Sequence, residues 1–384
     1  MARLGDICTI VSGSTPKSNI PEYWDGDIKW ITPAELSEDT YIINDSVRHV
    51  TELGVQKTGL KPFPKDTVIL SSRAPIGKTA IAGCEMYCNQ GFKNLICSDR
   101  INPRYLYWFL SCNTEYLNSL GRGATFKEIS KEIVANIEIP LPPLERQRAI
   151  AVKFEQVSKL ISLRKEQLAK LDELVKARFV EMFGNFVHER DRWSICEVGD
   201  VADTIDPQPS HRTPPTSADG IPYIGIAECN YKTRLIDFGK ARKVGRNVLH
   251  EHLERYILDE GDFIIGKIGT IGKPFFVPAE QTYTLSANTV LIKPHKGQVS
   301  PQFLFAVFQS EYMDRIIDAE KKSTSQPAFG IQKVRKITIP LPPLELQELF
   351  ATYVVETNKT KLTIQASLDK LEVMKKALMQ EYFG

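Results

Sequence analysis

Three short stretches of the chain carry residue types that could do chemistry. Ile76-Gly77-Lys78-Thr79 ends like a phosphate-cradling loop, in which backbone amides hold phosphate oxygens, a lysine neutralises them and a hydroxyl binds magnesium. The full pattern requires glycine at the place where Ser72 stands. The Ala-Ile-Ala-Gly after Thr79 does not open a helix, so amides and dipole would not converge on an anion. A β-turn with a basic tip is the expectation for this segment. His250-x-His252 lacks a spaced Cys or carboxylate set to complete a metal site and reads as solvated surface. Asp206-Pro207-Gln208-Pro209 and Asn102-Pro103-Arg104-Tyr105 both miss the Asn/Asp-Pro-Pro-aromatic loop that a methyltransferase uses to hold an amino group. A glycine-rich cofactor turn and a nuclease carboxylate cluster are not evident either. The expectation is a chain with no catalytic, cofactor or metal site of its own.

What remains is polar, basic and loop-like. The first half offers Thr15, Lys17, Ser72, Arg73, Lys78, Asn89 and Gln90, then Arg122, Thr125 and Lys127 around a Gly-rich loop. The second half offers His211, Arg212, Lys267, Lys273 and Asn288, then Lys322, Ser325 and Gln326. Arg and Lys pair with guanine edges, Asn and Gln with adenine, Ser and Thr with phosphate, so these are candidate DNA-binding residues, although each taken alone reads more readily as a solvated loop residue. The net charge of +2 does not announce a strong phosphate binder, so DNA affinity is expected to depend on partners that supply cationic surface. No apolar stretch approaches the roughly 20 residues of a membrane span. Met1–Ile7 shows no basic-then-apolar leader, and the seven cysteines form no C-x-x-C pair. They read as reduced thiols, and a cytoplasmic location without membrane association is expected.

These candidates sit on a repeated plan. Ile139-Pro140-Leu141-Pro142-Pro143-Leu144-Glu145 recurs letter for letter as Ile339-Pro340-Leu341-Pro342-Pro343-Leu344-Glu345, and residues 139–184 share 18 of 46 positions with 339–384. Average composition would give roughly one identity in twenty. Fainter matches run upstream: Asp27–Ile31 resembles Gly220–Ile224, and Ile69–Lys78 aligns with Ile264–Lys273. The plan is domain 1–143, helix 144–184, domain 185–343, helix 344–384.

Both helices follow a Pro-Pro start, and the first runs without Pro or internal Gly to Gly184. Apolar residues recur at steps of three and four: Ile150, Phe154, Val157, Ile161, Leu168, Leu171, Val175 and Met182, with Arg164 and Arg178 in two slots. The second series is Phe350, Val354, Ile364, Leu368, Leu371, Leu378 and Tyr382, with Lys361 and Lys375 intruding. Such spacing over about 40 residues predicts a coiled-coil seam in which the two stripes pack on each other, each helix about 60 Å long. The domains carry short β-branched runs (Thr67–Leu70, Phe263–Ile265, Thr289–Ile292) and one amphipathic segment each, Pro103–Leu120 and Pro301–Ala319. Compact mixed α/β (α+β) domains with many loops are expected. The framework matches while the positions between differ, which suggests one scaffold with two specificities.

This combination resembles the specificity subunits of type I restriction–modification systems. The resemblance rests on Gly13-Ser14-Thr15-Pro16, Tyr23–Ile31, Arg73-Ala74-Pro75-Ile76-Gly77-Lys78, Asn89-Gln90-Gly91-Phe92, Gly123–Ile129 and the Ile-Pro-Leu-Pro-Pro-Leu-Glu boundary before each helix. It spans the whole chain. The second domain departs from the common wording at Gly266-Lys267-Ile268-Gly269 and Ser286-Ala287-Asn288-Thr289. The resemblance implies two target recognition domains that each read one half of a bipartite duplex, and an antiparallel coiled coil that fixes the gap. It implies docking of two modification subunits carrying S-adenosylmethionine chemistry, and through them restriction subunits that use ATP and Mg. A repeat whose second helix returns along the first has a pseudo-two-fold axis, so domains about 60 Å apart would exceed one duplex turn of about 34 Å. A protein-only coiled-coil adaptor and a standalone enzyme with an unrecognised site are the alternative readings.

Overall fold

The computed structural model describes residues 1–37, 40–123, 127–210, 212–231, 233–268, 270–323 and 329–384. The chain forms two compact units, Met1–Lys165 with Ala366–Gly384, and Glu166–Gln365. Each holds one globular domain, the first part of the helix that follows it and the last part of the other helix.

In the first unit the β-branched runs pair as expected. A five-stranded sheet has the order Cys8–Val11, Asn94–Cys97, Val68–Leu70, Thr79–Ala82, Ile42–Ile43, antiparallel apart from its last pair. Thr79–Ala82 is thus a strand after a turn, and no helix opens there. A three-stranded sheet of Arg48–Val50, Trp24–Ile31 and Tyr87–Cys88 stands beside it. The second unit repeats the scheme with Ala202–Ile205, Thr289–Pro294, Phe263–Gly266 and Pro274–Phe276, and with Arg242–Val244, Thr216–Ile224 and Thr284–Leu285. In both, the domain's first strand, Ala2–Arg3 or Ser194–Glu197, pairs antiparallel with the strand at the Pro-Pro boundary, Glu138–Ile139 or Thr338–Leu341.

The amphipathic segment of each domain is two helices rather than one, Pro103–Cys112 with Thr114–Ser119, and Pro301–Phe308 with Glu311–Ser323. At each break a short polar side chain takes a helical carbonyl for itself: Asn113 Nδ2 donates to Phe109 O at 2.8 Å and Ser310 Oγ to Val307 O at 2.6 Å. Local bonds of this kind compete with helix propagation.

The long helices run Leu144–Phe183 and Leu344–Phe383, 40 residues each. Gly184 follows the first at φ +87°, the left-handed stop that glycine adopts without strain. Within the first unit the helices run in opposite directions: Phe154 stacks on Phe383 at 5.4 Å, and Lys165 faces Glu372 at 3.9 Å. The second unit shows the same sense, with Phe179 against Phe350 at 5.6 Å and Asp172 ion-paired with Lys361. All the residues of both stripes are buried or half-buried, including the four cations.

The aromatic cores lie where helices meet domains. Trp108 and Phe109 join Phe154 and Phe383 in the first unit; Phe303 joins Phe179, Phe183 and Phe350 in the second. Burying such rings favours docking each domain on its helices.

Candidate nucleic-acid interface

The loops that carry the candidates gather at one end of each main sheet. In the first domain Ser72 N–H donates to Gly91 O at 2.8 Å and Ile129 N–H to Ser72 O at 3.0 Å. Ser14 N–H reaches Cys88 O at 3.1 Å, and Arg122 and Glu128 exchange two backbone bonds of 3.0 Å. This brings together the segments around residues 13–17, 71–78, 89–92, 121–123 and 127–129. The second domain repeats the clasp: Lys267 N–H donates to Asn288 O at 2.8 Å and Phe329 N–H to Lys267 O at 2.9 Å. Ser72 and Lys267 therefore occupy one framework position, one or two residues past the inner strand.

Side chains around that clasp divide into those facing solvent and those used internally. Thr15, Lys17, Arg73, Gln90, Arg122 and Lys127 are exposed, as are Arg212, Lys273, Asn288 and Lys322. Lys322 lies on the Glu311–Ser323 helix rather than in a loop. Thr15 hydrogen-bonds Gln90 across two loops, and half-buried Asn89 accepts from Gly91 N–H at 2.9 Å. Thr125, His211, Ser325 and Gln326 lie outside the described residues.

Four expectations need correction. Ser72 is fully buried and accepts from Lys93 Nζ at 3.3 Å. Lys267 is 7% exposed, ion-paired with Asp206 at 2.8 Å and bonded to Ala287 O at 3.0 Å. Lys78 is half-buried, its ammonium donating to Leu36 O at 2.5 Å. These side chains hold loops from within and do not present themselves to a duplex. His250 is solvated as expected, but His252 is 1% exposed, its ring hydrogen-bonded to Gln208 and Thr284. Burial pushes the His252 pKa down, so the ring is held neutral.

Several residues that sequence reasoning missed complete the picture. Glu128 takes a 2.9 Å bond from Arg73 Nε and a 3.1 Å bond from the buried Lys93. Partial burial would raise its carboxyl pKa, but the two cations outweigh that and hold it below the usual carboxylate range. In the second domain a groove of about 710 Å³ runs between Thr204–Pro209 and the Ile331–Arg335 helix, lined by Arg255, Lys333 and Arg335. Arg335 donates to Thr204 Oγ1 and Thr204 O, both at 3.1 Å, and Lys333 pairs with Glu320. The presence of Lys333 and Arg335 just past the Gln326 segment was the available signal. Nothing in the sequence distinguished Arg255. The arrangement offers exposed cations, amides and hydroxyls beside buried struts, which suits contact with phosphates and base edges. Among the described residues no group of three or more His, Cys, Asp or Glu could hold a metal ion, and no helix is long and apolar enough to cross a membrane.

A duplicated loop-bearing α/β domain, each copy seated on a long helix pair, is the architecture of one protein class. The chain belongs to the type I restriction modification DNA specificity domain family, whose model matches residues 1–173 and 190–372. Among its relatives is the MjaIX specificity subunit of Methanocaldococcus jannaschii, 40% identical over 217 residues, or 52% of this chain and 50% of that subunit. The match thus spans half the length of that relative. The MjaVIII specificity subunit of the same organism is 27% identical over an alignment covering 99% of this chain and 90% of the relative. The fold matches the crystal structure of the type I restriction–modification S subunit from M. genitalium with TM-score 0.60 at 14% identity, covering 100% of this chain and 95% of that one. A chain solved to explain complex assembly and conformational transition of the type I R-M system gives TM-score 0.59 at 19% identity, covering 100% and 96%.

Proposed function

We propose that this chain reads DNA for an enzyme whose chemistry resides elsewhere. Each globular domain contacts one half of a bipartite duplex target through its loop cluster. The helices Leu144–Phe183 and Leu344–Phe383 fix the gap between the halves and dock two modification subunits. Those subunits bring S-adenosylmethionine, and restriction subunits joined through them bring ATP and Mg. The observation that carries this reading is the repeated clasp at Ser72 and Lys267: identical backbone bonding with different side chains around it, one scaffold serving two specificities. The near-neutral charge fits a subunit whose affinity is completed by basic partners. A cytoplasmic location follows from that role.

The test is methylation-aware sequencing of a host expressing this chain with its neighbouring modification subunit. The expected result is a methylated motif of two short parts with a constant gap. A single continuous motif, or no sequence-dependent methylation, overturns the reading. The purified chain alone is expected to transfer no methyl group and cut no DNA; cofactor-dependent turnover by the isolated chain would favour the standalone enzyme.

A further inference from the structure

The loop that follows the first strand of the main sheet carries Thr15 and Lys17 in the first domain and Arg212 in the second. The two domains fasten this loop differently. In the first, Trp24 Nε1–H donates to Lys17 O at 3.2 Å and Trp30 Nε1–H to Ser14 O at 3.0 Å. Both indoles are buried, 6% and 2% exposed, and their rings meet edge to face at 5.1 Å. In the second, Gln208 of the loop turns its amide oxygen to His252 Nε2 while its amide nitrogen donates to Ser210 Oγ at 2.8 Å. An amide oxygen only accepts, so Nε2 carries the hydrogen and Nδ1 accepts from Thr284. Tyr256 OH stands 3.2 Å from the same Nδ1.

We propose that Trp24 and Trp30 in the first domain, and His252 in the second, are positioning residues for DNA recognition that clamp corresponding reading loops by different chemistry. The inference rests on the DNA-reading role proposed above. An indole N–H does not titrate near neutrality, whereas an imidazole does. Among the described residues, the charged and titratable groups around His252 are Glu251 and Arg255 beside it in sequence, Tyr256, and Tyr223 from the Thr216–Ile224 strand near Tyr256. Asp206 of the loop is already paired with Lys267. His252 is 1% exposed, and its second proton would go to Nδ1, which already accepts from Thr284. Protonating the clamped ring therefore costs both desolvation and that acceptor, whereas a released ring takes the proton in water. Acid below the ordinary histidine value of 6.5 therefore favours release in the second domain only.

The experiment uses the assembled complex of this chain with its modification subunits. Fluorescence anisotropy from pH 5.5 to 8 compares the target duplex with duplexes carrying single substitutions in either half-site. Trp30→Phe keeps an aromatic side chain and loses the N–H; it is expected to lower discrimination in one half-site by about fivefold and leave the other unchanged. Gln208→Ala, on the loop side of the clamp, should do the same in the opposite half-site. The unaltered complex should lose discrimination in that opposite half-site alone as the pH falls below about 6.5. His252→Gln, whose amide can donate to Gln208 and accept from Thr284, should keep discrimination and abolish its pH dependence. Intact discrimination in both Trp30→Phe and Gln208→Ala overturns the clamps, as does an equal acid response in both half-sites. An unaltered complex that prefers no sequence at any pH overturns the DNA-reading role, and this proposal with it, a result distinct from the other two.

Discussion

Gln147 and Gln347 show how much one residue of the repeat does. Both are fully buried at the start of a long helix. Gln147 accepts from Asn102 N–H at 2.8 Å and donates to Arg100 O and Pro142 O; Gln347 accepts from Ser300 N–H at 2.9 Å and donates to Pro342 O. Each fastens the helix start to the turn that begins the domain's amphipathic helices. Gln147→Leu strands buried backbone groups and is expected to cost the full chain about 1–3 kcal/mol in urea unfolding, whereas exposed Gln156→Leu should stay within about 0.5 kcal/mol. Glu128 is the informative residue on the proposed DNA side, because its carboxylate pairs with Arg73 and Lys93. Glu128→Gln should tighten binding to all sequences and steepen the salt dependence of affinity by about one phosphate equivalent; an unchanged salt slope would place Arg73 away from the duplex. Its sign with pH also follows. Glu128 has a lowered folded pKa, so its ion pairs stabilise fully above the ordinary value of 4.5 and are lost as pH falls through the lowered one. At this scale the sequence was least legible. A lysine reads the same in text whether it faces water, like Lys273, or lies beneath a loop, like Lys267. Its burial is decided by Asp206, which only the paired strands Ala202–Ile205 and Thr289–Pro294, next to Phe263–Gly266, bring near. His252 was misread for the same reason, since Gln208 and Thr284 lie 44 and 32 residues away.

Elements were far more legible, because periodicity is local. The three-and-four spacing placed every residue of both stripes on the inner face, even Arg164, Arg178, Lys361 and Lys375. It missed Phe179 and Phe183, 5% and 0% exposed, because the helix end there is covered by Phe186 and Phe303 from the adjoining domain rather than by the helix stripe alone. The cations differ in how they are accommodated. Lys375 lies 5.3 Å from the Trp108 ring, Arg178 donates to Glu181 at 2.8 Å, and Lys361 is 8% exposed and paired with Asp172, which Arg234 also binds at 2.9 Å. Burial holds the Lys361 pKa below its usual 10.5; the bond to Asp172 opposes this and Arg234 adds to it. The folded chain therefore releases this proton more readily than the unfolded chain, and stability rises as pH climbs through the lowered value and levels off above 10.5. Lys361→Leu should remove that alkaline rise and leave Tm at neutral pH equal or higher, because a buried ammonium is exchanged for an apolar side chain. Asp172→Ala should lower Tm, since it strips the partner from a buried charge; thermal scans from pH 7 to 11 read both. A fall in Tm for Lys361→Leu would mean the ion pair itself holds the seam.

Across the whole molecule, the proposed function assigns reading and spacing to different segments of the repeat. The two compact units contain the same ingredients, a domain with the first part of the helix after it and the end of the other helix, yet residues 1–143 and 185–343 differ most while 144–184 and 344–384 match most closely. Specificity should therefore move with the domains and geometry with the helices. Replacing 1–143 by the equivalent domain of a relative is expected to change one half-site and leave the other half and the gap as they were. Inserting one heptad into the 144–184 stripe keeps its apolar register and lengthens that helix by about 10 Å, roughly three base-pair rises. The partner stripe must lengthen as well for the seam to stay in register, so a matched heptad belongs in 344–384. With both insertions the gap should grow by a few base pairs while both half-sites stay unchanged, as read by methylation-aware sequencing in the host. Co-purification of the modification subunits must accompany the measurement, because the same helices are proposed to dock them. A complex that assembles, methylates and keeps its original gap would mean that the helices are not the ruler. Spacing would then have to come from the modification subunits, and the close match between 144–184 and 344–384 would reflect docking alone.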